Sequence, residues 1–323
     1  LRNEQCIVRP RLWPGTAMLR TIGTVRHAAL HNGLNTMGNR TLQHVFGPVP
    51  SRRLGRSLGI DVVPFKTCTY DCIYCQLGRT TNKTMKREAY VPLSDVIEDV
   101  ERSLEQGPPP NFITISGSGE PTLYLQLGRL LRTLKQRTEI PVAVLTNGSY
   151  LWDPEVQTDL LEADLIIPSL DAGDEKLFQY VNRPCESITF DRMINGLLSF
   201  RRRFPGPIWL EVFLLGGVTA IESEVQKIAG YVREIHPERL QLNTVARPPA
   251  ESYALQVPEE QMLRFAELFD PPGEVVADVQ QIHEHKTFQA TREDVLRLLR
   301  RRPCSLQDVA SGLGIHVNEA TKH

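Results

Sequence analysis

The 323-residue sequence lacks any uninterrupted run of the roughly 18 apolar residues that a membrane-spanning helix requires, and no charged-then-apolar leader of the secretory kind opens it. It also lacks a large net charge, the formal value being −1. Its 37 Lys and Arg stand against 38 Asp and Glu, so the molecule as a whole is not composed as a polyanion binder. Cysteine is scarce, with six in the chain, yet three of the six fall within eight residues. In a chain of this size without an export signal, such clustering points to metal rather than to disulfides. These absences lead to the expectation of a cytoplasmic protein with no membrane partner.

Acid and lysine are missing from one stretch. Residues 1–56 carry nine Arg (2, 9, 11, 20, 26, 40, 52, 53 and 56), no Lys or Asp, and one acid, Glu4. An arginine-rich, acid-poor leader is similar in composition to an organelle transit peptide. The preferred expectation for residues 1–44 is a disordered leader or a mis-assigned start, since Met37 would open a chain that runs directly into the motifs below.

From about residue 58 to 270, short apolar runs alternate with amphipathic stretches. The runs Leu58–Val63, Phe112–Ile115, Val142–Leu145, Leu165–Pro168, Trp209–Leu215 and Leu240–Asn243 read as strands, nearly continuous in apolar character as befits burial on both faces. Between them lie stripes at helical spacing. Val96, Ile97, Val100 and Leu104 follow Ser94, a good N-cap. Leu123, Leu127, Leu130, Leu131 and Leu134 form a second stripe, and Asp153-Pro154 opens a third helix. Met193, Ile194, Leu197 and Leu198, then Val225, Ile228, Val232 and Ile235, complete the set. Six βα units predict an α/β fold over residues 45–270, a parallel sheet curled into a partial (β/α)6 TIM-like barrel. Residues 271–290 read as a linker. Residues 291–323 have the rhythm of a helix-turn-helix appendage, with capping-box spacing from Ser305 to Asp308.

The chemistry concentrates in Phe65–Gln76, FKTCTYDCIYCQ, where Cys68, Cys72 and Cys75 have C-x3-C-x2-C spacing just after the first strand. A structural zinc needs four ligands. No fourth Cys or His is close, since His44 lies 24 residues upstream and Cys6, Cys185 and Cys304 are scattered. Protein ligation of a [4Fe–4S] cluster is normally fourfold, so three thiolates leave one iron open for a cofactor or substrate.

The cysteine run, with aromatic Tyr74 just before its last cysteine, resembles the hallmark of the radical S-adenosylmethionine (SAM) superfamily. The resemblance implies that Cys68, Cys72 and Cys75 hold a [4Fe–4S] cluster. It further implies that the open iron chelates SAM, and that reductive cleavage yields a 5′-deoxyadenosyl radical able to abstract a substrate hydrogen. Other strand ends extend it. Ser116–Thr122, SGSGEPT, looks like the family's Gly-Glu motif, implying that Gly117, Gly119, Glu120 and Pro121 bind SAM, with Glu120 on its amino group. Asn147 in the Thr146-Asn147-Gly148 turn is also family-like. Ser169 and Asp171 are implied to hold the ribose hydroxyls, and Arg183 in Asn182-Arg183-Pro184 to meet a carboxylate. Each of these last three also has a plain structural reading: turn, helix cap or surface ion pair.

The run VPSRRLGRSLGID and the stretch SLDAGDE…NRP are similar to iron–sulfur oxidoreductases near the wyosine-synthesising tRNA enzymes. Those carry a second cluster, for which this sequence has no second group of three cysteines. RNA is the first expected substrate class, with Arg52, Arg53, Arg56, Arg79, Lys83, Lys86 and Arg87 as a candidate phosphate-facing rim. A peptide or small metabolite is the alternative, and an iron–sulfur redox sensor binding DNA through residues 292–323 is a third reading. The resemblance also implies a low-potential electron donor, flavodoxin or ferredoxin.

Overall fold

Val45–Ser51 (β1) turns back antiparallel on Gly55–Ile60 (β2), and the chain then builds outward from β2 in one direction. This computed structural model describes residues 42–51 and 53–276, with five further single positions (295, 296, 299, 306 and 309), each helical. The expected leader up to residue 41, most of the expected linker, and otherwise the helix-turn-helix segment at 291–323 lie outside the described residues.

After β2 come two short pieces, Thr67–Cys68 (β3) and Asn82–Lys83 (β4), paired with each other. Regular alternation follows: Leu93–Glu105 (α1), Phe112–Ile115 (β5), Leu127–Arg137 (α2), Val142–Thr146 (β6), Pro154–Leu160 (α3) and Leu165–Pro168 (β7). Two helices, Glu175–Val181 (α4) and Phe190–Arg203 (α5), precede Trp209–Phe213 (β8). Glu222–Ile235 (α6), Arg239–Asn243 (β9), Glu259–Ala266 (α7) and Gly273–Val275 (β10) complete the order.

The sheet order is β1-β2-β5-β6-β7, and bridges Ile166↔Ile208 and Ser169↔Glu211 carry it on into β8-β9-β10. Strands β2, β5, β6, β7, β8 and β9 are the six expected, all parallel. Among the described residues no pairing joins β1 or β2 to β9 or β10, so the barrel stays open.

Strand alternation separates the two faces. Ile113, Val142, Val144, Ile166, Leu210 and Val212 pack outward in one large cluster with helix residues such as Val96, Leu130, Val156 and Ile228. Leu54, Phe112, Ala143, Leu145, Leu165, Ile167 and Trp209 form a separate cluster on the inner face. Both faces are thus dry, which is why the strands read as continuous apolar runs.

Several local expectations shift. Helix α1 starts at Leu93 with Pro92 as its N-cap, and the Ser94 hydroxyl bonds Asp95 instead of capping. The leucine stripe breaks after Leu123, which belongs to a 3₁₀ turn over Pro121–Leu123. Asp153 caps α3 as expected, accepting from Glu155 N at 2.8 Å. Helix α4 and strands β1 and β10 were not expected, and β10 falls inside the stretch read as linker. No helix among the described residues is long and apolar enough to cross a membrane.

Candidate active site

The cysteine segment lies over the C-terminal ends of the strands, fixed by backbone bonds to the chain after β5 and to the end of α4. Lys66 N donates to Ser118 O (2.7 Å) and Glu120 N to Thr67 O (3.1 Å), tying it to the end of β5. Ile73 N reaches Val181 O (2.9 Å) and Asp71 N reaches Asn182 O (3.0 Å), tying it to the end of α4. Cys75 N closes a turn on Cys72 O (3.2 Å). All three thiols are free of disulfides.

Each sulfur faces a side-chain N–H donor. Asn147 Nδ2 lies 3.5 Å from Cys68 Sγ, Asn182 Nδ2 lies 3.5 Å from Cys72 Sγ, and Lys66 Nζ lies 3.3 Å from Cys75 Sγ. The two amide orientations are fixed by unambiguous partners. Asn182 Nδ2 also donates to the acceptor-only carboxylate of Asp171 (2.8 Å), and Asn147 Oδ1 accepts from Ser149 N (2.9 Å). The three residues are half-buried, but the Cys68 and Cys72 thiols lie deep. Burial, then the nearby Glu120 carboxylate, pushes Cys68 up to about 12. Burial and the nearby Asp171 push Cys72 well above the ordinary thiol value.

This donor set fits an iron–sulfur cluster and not a single ion. Among the described residues no three His, Cys, Asp or Glu side chains are grouped so as to hold one metal ion. A four-iron cube takes each thiolate on a different iron, and N–H donors aimed at sulfur are the usual surroundings of such clusters.

The end of β5 presses directly on the cysteine segment. A Cβ on Gly119 would meet Thr67 O at 1.8 Å, so the close approach that this glycine permits is to the cysteine backbone. Gly117, at φ +136°, faces the Asp61 carboxylate, which takes Ser118 N at 3.1 Å. Glu120 is buried and caps the 3₁₀ turn that Pro121 begins. Its Oε1 accepts from Thr122 N (3.0 Å), Thr122 Oγ1 (2.6 Å) and Thr146 Oγ1 (2.7 Å), and its Oε2 from Asn147 N (2.8 Å). Burial raises its carboxyl and these four bonds oppose the shift. Oε2, with one bond, retains acceptor capacity.

Asp171 is the second buried carboxylate. It accepts from the Tyr74 hydroxyl, from Asn182 Nδ2 and from Phe213 N (3.1 Å), and burial pushes it up to about 6. Asp171 is not a helix cap, since Asp174 caps α4 by accepting from Leu177 N at 3.0 Å. The Tyr74 ring stacks on Phe213 with centroids 4.0 Å apart. Ser169 is half-buried at the β7–β8 bridge.

Arg183 meets a carboxylate, but one of the protein's own. Its Nη1 lies 2.7 Å from Glu251 Oε1 and its Nη2 2.6 Å from the Tyr253 hydroxyl. The expected basic rim does not gather on one surface. Arg56 stands at the opposite, N-terminal end of β2, donating to Pro108 O, and Arg53 pairs with Glu211. Arg87 pairs with Asp159 (2.7 Å), Lys86 with Glu88, and Arg79 contacts Asp71 (3.5 Å) and Glu251 (3.4 Å). Lys83 donates to the carbonyls of Arg183 and Pro184, and Arg52 lies outside the described residues.

Sequence reasoning gave no role to Lys66 and Asn182. Asn182 stood in a motif where only its arginine neighbour drew attention. Lys66 carries no spacing signal, because its meaning depends on Cys75, nine residues on, whose sulfur its ammonium reaches.

Comparison with known proteins agrees with this geometry. Residues 62–232 match the family model of the radical SAM superfamily. The chain is 41% identical over 284 residues, 87% of its length, to a protein of Brachyspira hyodysenteriae named GTPase Obg, and spans only 42% of that protein. It is 33% identical over 276 residues, 84% of its length and 88% of the relative's, to a UPF0026 protein of Helicobacter pylori. Among solved structures, a radical SAM methyltransferase from Sphaerobacter thermophilus superposes at a TM-score of 0.52 with 18% identity, over 68% of this chain and 65% of that one. Native anSMEcpe with bound AdoMet superposes at 0.51 with 20% identity, over 66% and 59%.

Proposed function

This chain belongs to the radical SAM superfamily, among the UPF0026 proteins, and we propose that it abstracts hydrogen from an RNA substrate at the site formed by Cys68, Cys72 and Cys75. It is an iron–sulfur enzyme whose cofactors are a [4Fe–4S] cluster and SAM. When bound, they supply the reductive cleavage of the sulfonium C–S bond that gives methionine and a 5′-deoxyadenosyl radical.

The observation that carries the site assignment is the convergence of three free thiols, each facing an N–H donor, at the C-terminal ends of the parallel strands. Around them the chain's own groups take defined parts. The three cysteines ligate iron. Glu120 Oε2 accepts from the ammonium of SAM, with Gly117, Gly119 and Pro121 shaping the backbone on which it stands, and Asn147 locks that carboxylate to the cysteine segment. Ser169 and Asp171 hold the ribose hydroxyls, and Asp171 also fixes the Tyr74 ring and Asn182. Arg183, engaged by Glu251, holds the loop after β9 in place and is left out of the SAM contacts. The apolar inner cluster below keeps water from the reacting atoms. A flavodoxin or ferredoxin delivers the electron, and a thiolate-held cluster suits the reducing cytoplasm.

The RNA reading is supported by Tyr180 and Tyr253, half-exposed with ring centroids 6.4 Å apart, beside Arg183 on the strand-end side of the barrel. Exposed aromatic faces next to a guanidinium suit unstacked bases. A second reading, a peptide or small metabolite, is favoured by the acids Asp71 and Glu251, which offset Arg79 and Arg183 at the same rim. The sensor reading rests on residues 292–323, nearly all outside the described residues.

The first test is anaerobic reconstitution followed by dithionite, SAM and chromatographic measurement of 5′-deoxyadenosine. Formation should vanish in each of C68A, C72A and C75A, and a rate retained in all three sinks the site assignment. RNA that copurifies and dissociates with salt supports the substrate. No binding at low salt, with activity on small molecules, transfers the assignment to the second reading.

A further inference from the structure

We infer that Lys66, Asn147 and Asn182 set the reduction potential of the cluster, Lys66 through its buried positive charge and the two amides through N–H donation to cysteine sulfur. The inference rests on the reading that Cys68, Cys72 and Cys75 hold a cluster.

Lys66 is the unusual member. It is 3% exposed, although lysine is almost never fully buried unless paired. Among the described residues it has no carboxylate partner. Its Nζ bonds are to Cys75 Sγ at 3.3 Å and to Gly78 O. A carbonyl is neutral, so the anion that offsets this buried charge must be the thiolate and what the thiolate holds. The backbone holds Lys66 at a left-handed φ of +61°, which a side-chain-bearing residue seldom adopts. Bonds on both sides keep it there, from Lys66 N to Ser118 O (2.7 Å) and from Asn82 N to Lys66 O (3.1 Å). The ammonium is therefore placed by the fold and not by a flexible stem.

The amides come from elsewhere in the chain, 79 residues from Cys68 for Asn147 and 110 from Cys72 for Asn182. Each spends its second N–H on an oxygen: Thr69 Oγ1 at 2.8 Å for Asn147 and Asp171 Oδ2 at 2.8 Å for Asn182. Every protein sulfur of the site thus has one side-chain donor, each from a different segment.

Reduction adds one electron, taken from a low-potential one-electron donor, and makes the cluster more negative by one unit. A fixed cation and oriented N–H groups stabilise that state more than the oxidised one, so they raise the midpoint potential. Removing Lys66's charge lowers it, and removing one amide donor lowers it less.

The test is a mediated potentiometric titration of the reconstituted protein, without SAM, read by the electron paramagnetic resonance signal of the reduced cluster. Iron content and the absorbance of the oxidised cluster are measured first. Lys66→Met keeps the apolar stem and removes the charge. Its midpoint should fall so that the reduced-to-oxidised ratio at fixed potential drops at least tenfold, or 59 mV for one electron. Lys66→Arg should stay near wild type, as should Lys83→Met, whose lysine bonds carbonyls and no sulfur. Asn147→Leu and Asn182→Leu, close in size but without a donor or a new charge, should each fall by less, and they decide the matter if Lys66→Met does not load iron. A loaded Lys66→Met or Asn variant with an unmoved midpoint overturns the inference. A wild-type protein that takes up no cluster overturns instead the reading of the site.

Discussion

A single methyl group on Gly119 should dismantle the site through the cysteine backbone against which this glycine packs. In G119A the new Cβ would lie 1.8 Å from Thr67 O and 2.8 Å from Thr67 C, where real contacts stay beyond 3.0 Å. The obstacle is backbone and cannot rotate away, so the end of β5 and the cysteine segment must part by about 1 Å or more. Two bonds flank this contact, Glu120 N to Thr67 O at 3.1 Å and Lys66 N to Ser118 O at 2.7 Å. Overpacking costs about 1–3 kcal/mol, and each buried donor left unpaired costs about 1–3 kcal/mol. A total of about 3–9 kcal/mol is a large share of the roughly 5–15 kcal/mol that stabilises a typical domain. The separation also displaces Cys68, the residue after Thr67, so iron uptake should fall with stability. Gly78 provides the contrast. Its φ is +81° but a Cβ there meets no atom within 4 Å. G78A should cost only the left-handed penalty of about 1–2 kcal/mol and load iron normally. Urea unfolding of the apoproteins and iron per chain after reconstitution measure both effects. G119A within about 1 kcal/mol of wild type, at full iron content, would refute the claim that this contact positions the cysteines.

Glu120→Gln keeps the shape of the side chain and removes its charge. It should weaken SAM binding between about tenfold and a hundredfold, the loss of one charge-assisted bond, with iron content kept. Equilibrium binding to the reconstituted protein reads this, and lost iron would mean that the carboxylate serves the cluster instead. Asp171 should leave its mark on stability against pH. Its native carboxyl is raised to about 6 from the ordinary 3.8, so the native apoprotein takes the proton first as pH falls. The favourable contribution is complete below 3.8 and is lost as pH rises through 6, a change of about 3 kcal/mol. Wild-type apoprotein should therefore gain on D171N by about that amount between pH 7 and pH 4 in denaturant titrations. Parallel curves for the two proteins would show that burial does not perturb this group.

The six parallel strands were legible because each is buried on both faces, so composition alone marks them. The start of α3 was legible because Asp153-Pro154 is a local signal that acts locally. Strand β1 was hidden because two prolines, Pro48 and Pro50, interrupt it and arginines follow it. An antiparallel edge strand needs no apolar run. Helix α4 was hidden because it is only seven residues long and follows directly on the motif at Ser169–Asp171, where the polar residues were read for chemistry. At the site, the three cysteines and the Gly-Glu turn stand in fixed local spacings and could be read. The sulfur donors could not. Asn147 and Asn182 reach their cysteines across 79 and 110 residues, a juxtaposition set by the barrel and not by any local pattern.

That juxtaposition makes the residues assigned to SAM and those assigned to iron one hydrogen-bonded unit. Asn147 holds Glu120 through its backbone N–H and Cys68 through its side chain. Asn182 holds Asp171 with one amide hydrogen and Cys72 with the other, while Asp171 fixes Tyr74, two residues from Cys72. The strand ends therefore do more than present contacts to a cofactor, because each carboxylate assigned to SAM also orients a donor that faces sulfur. Truncation differs from isosteric exchange for this reason. Glu120→Ala removes the acceptor of Asn147 N and of two threonine hydroxyls, so the loss passes through Asn147 to Cys68. Glu120→Gln leaves an oxygen for part of that set. Iron retention should separate these two substitutions, and it would not if the carboxylate and the cysteines were independent attachments to the same barrel.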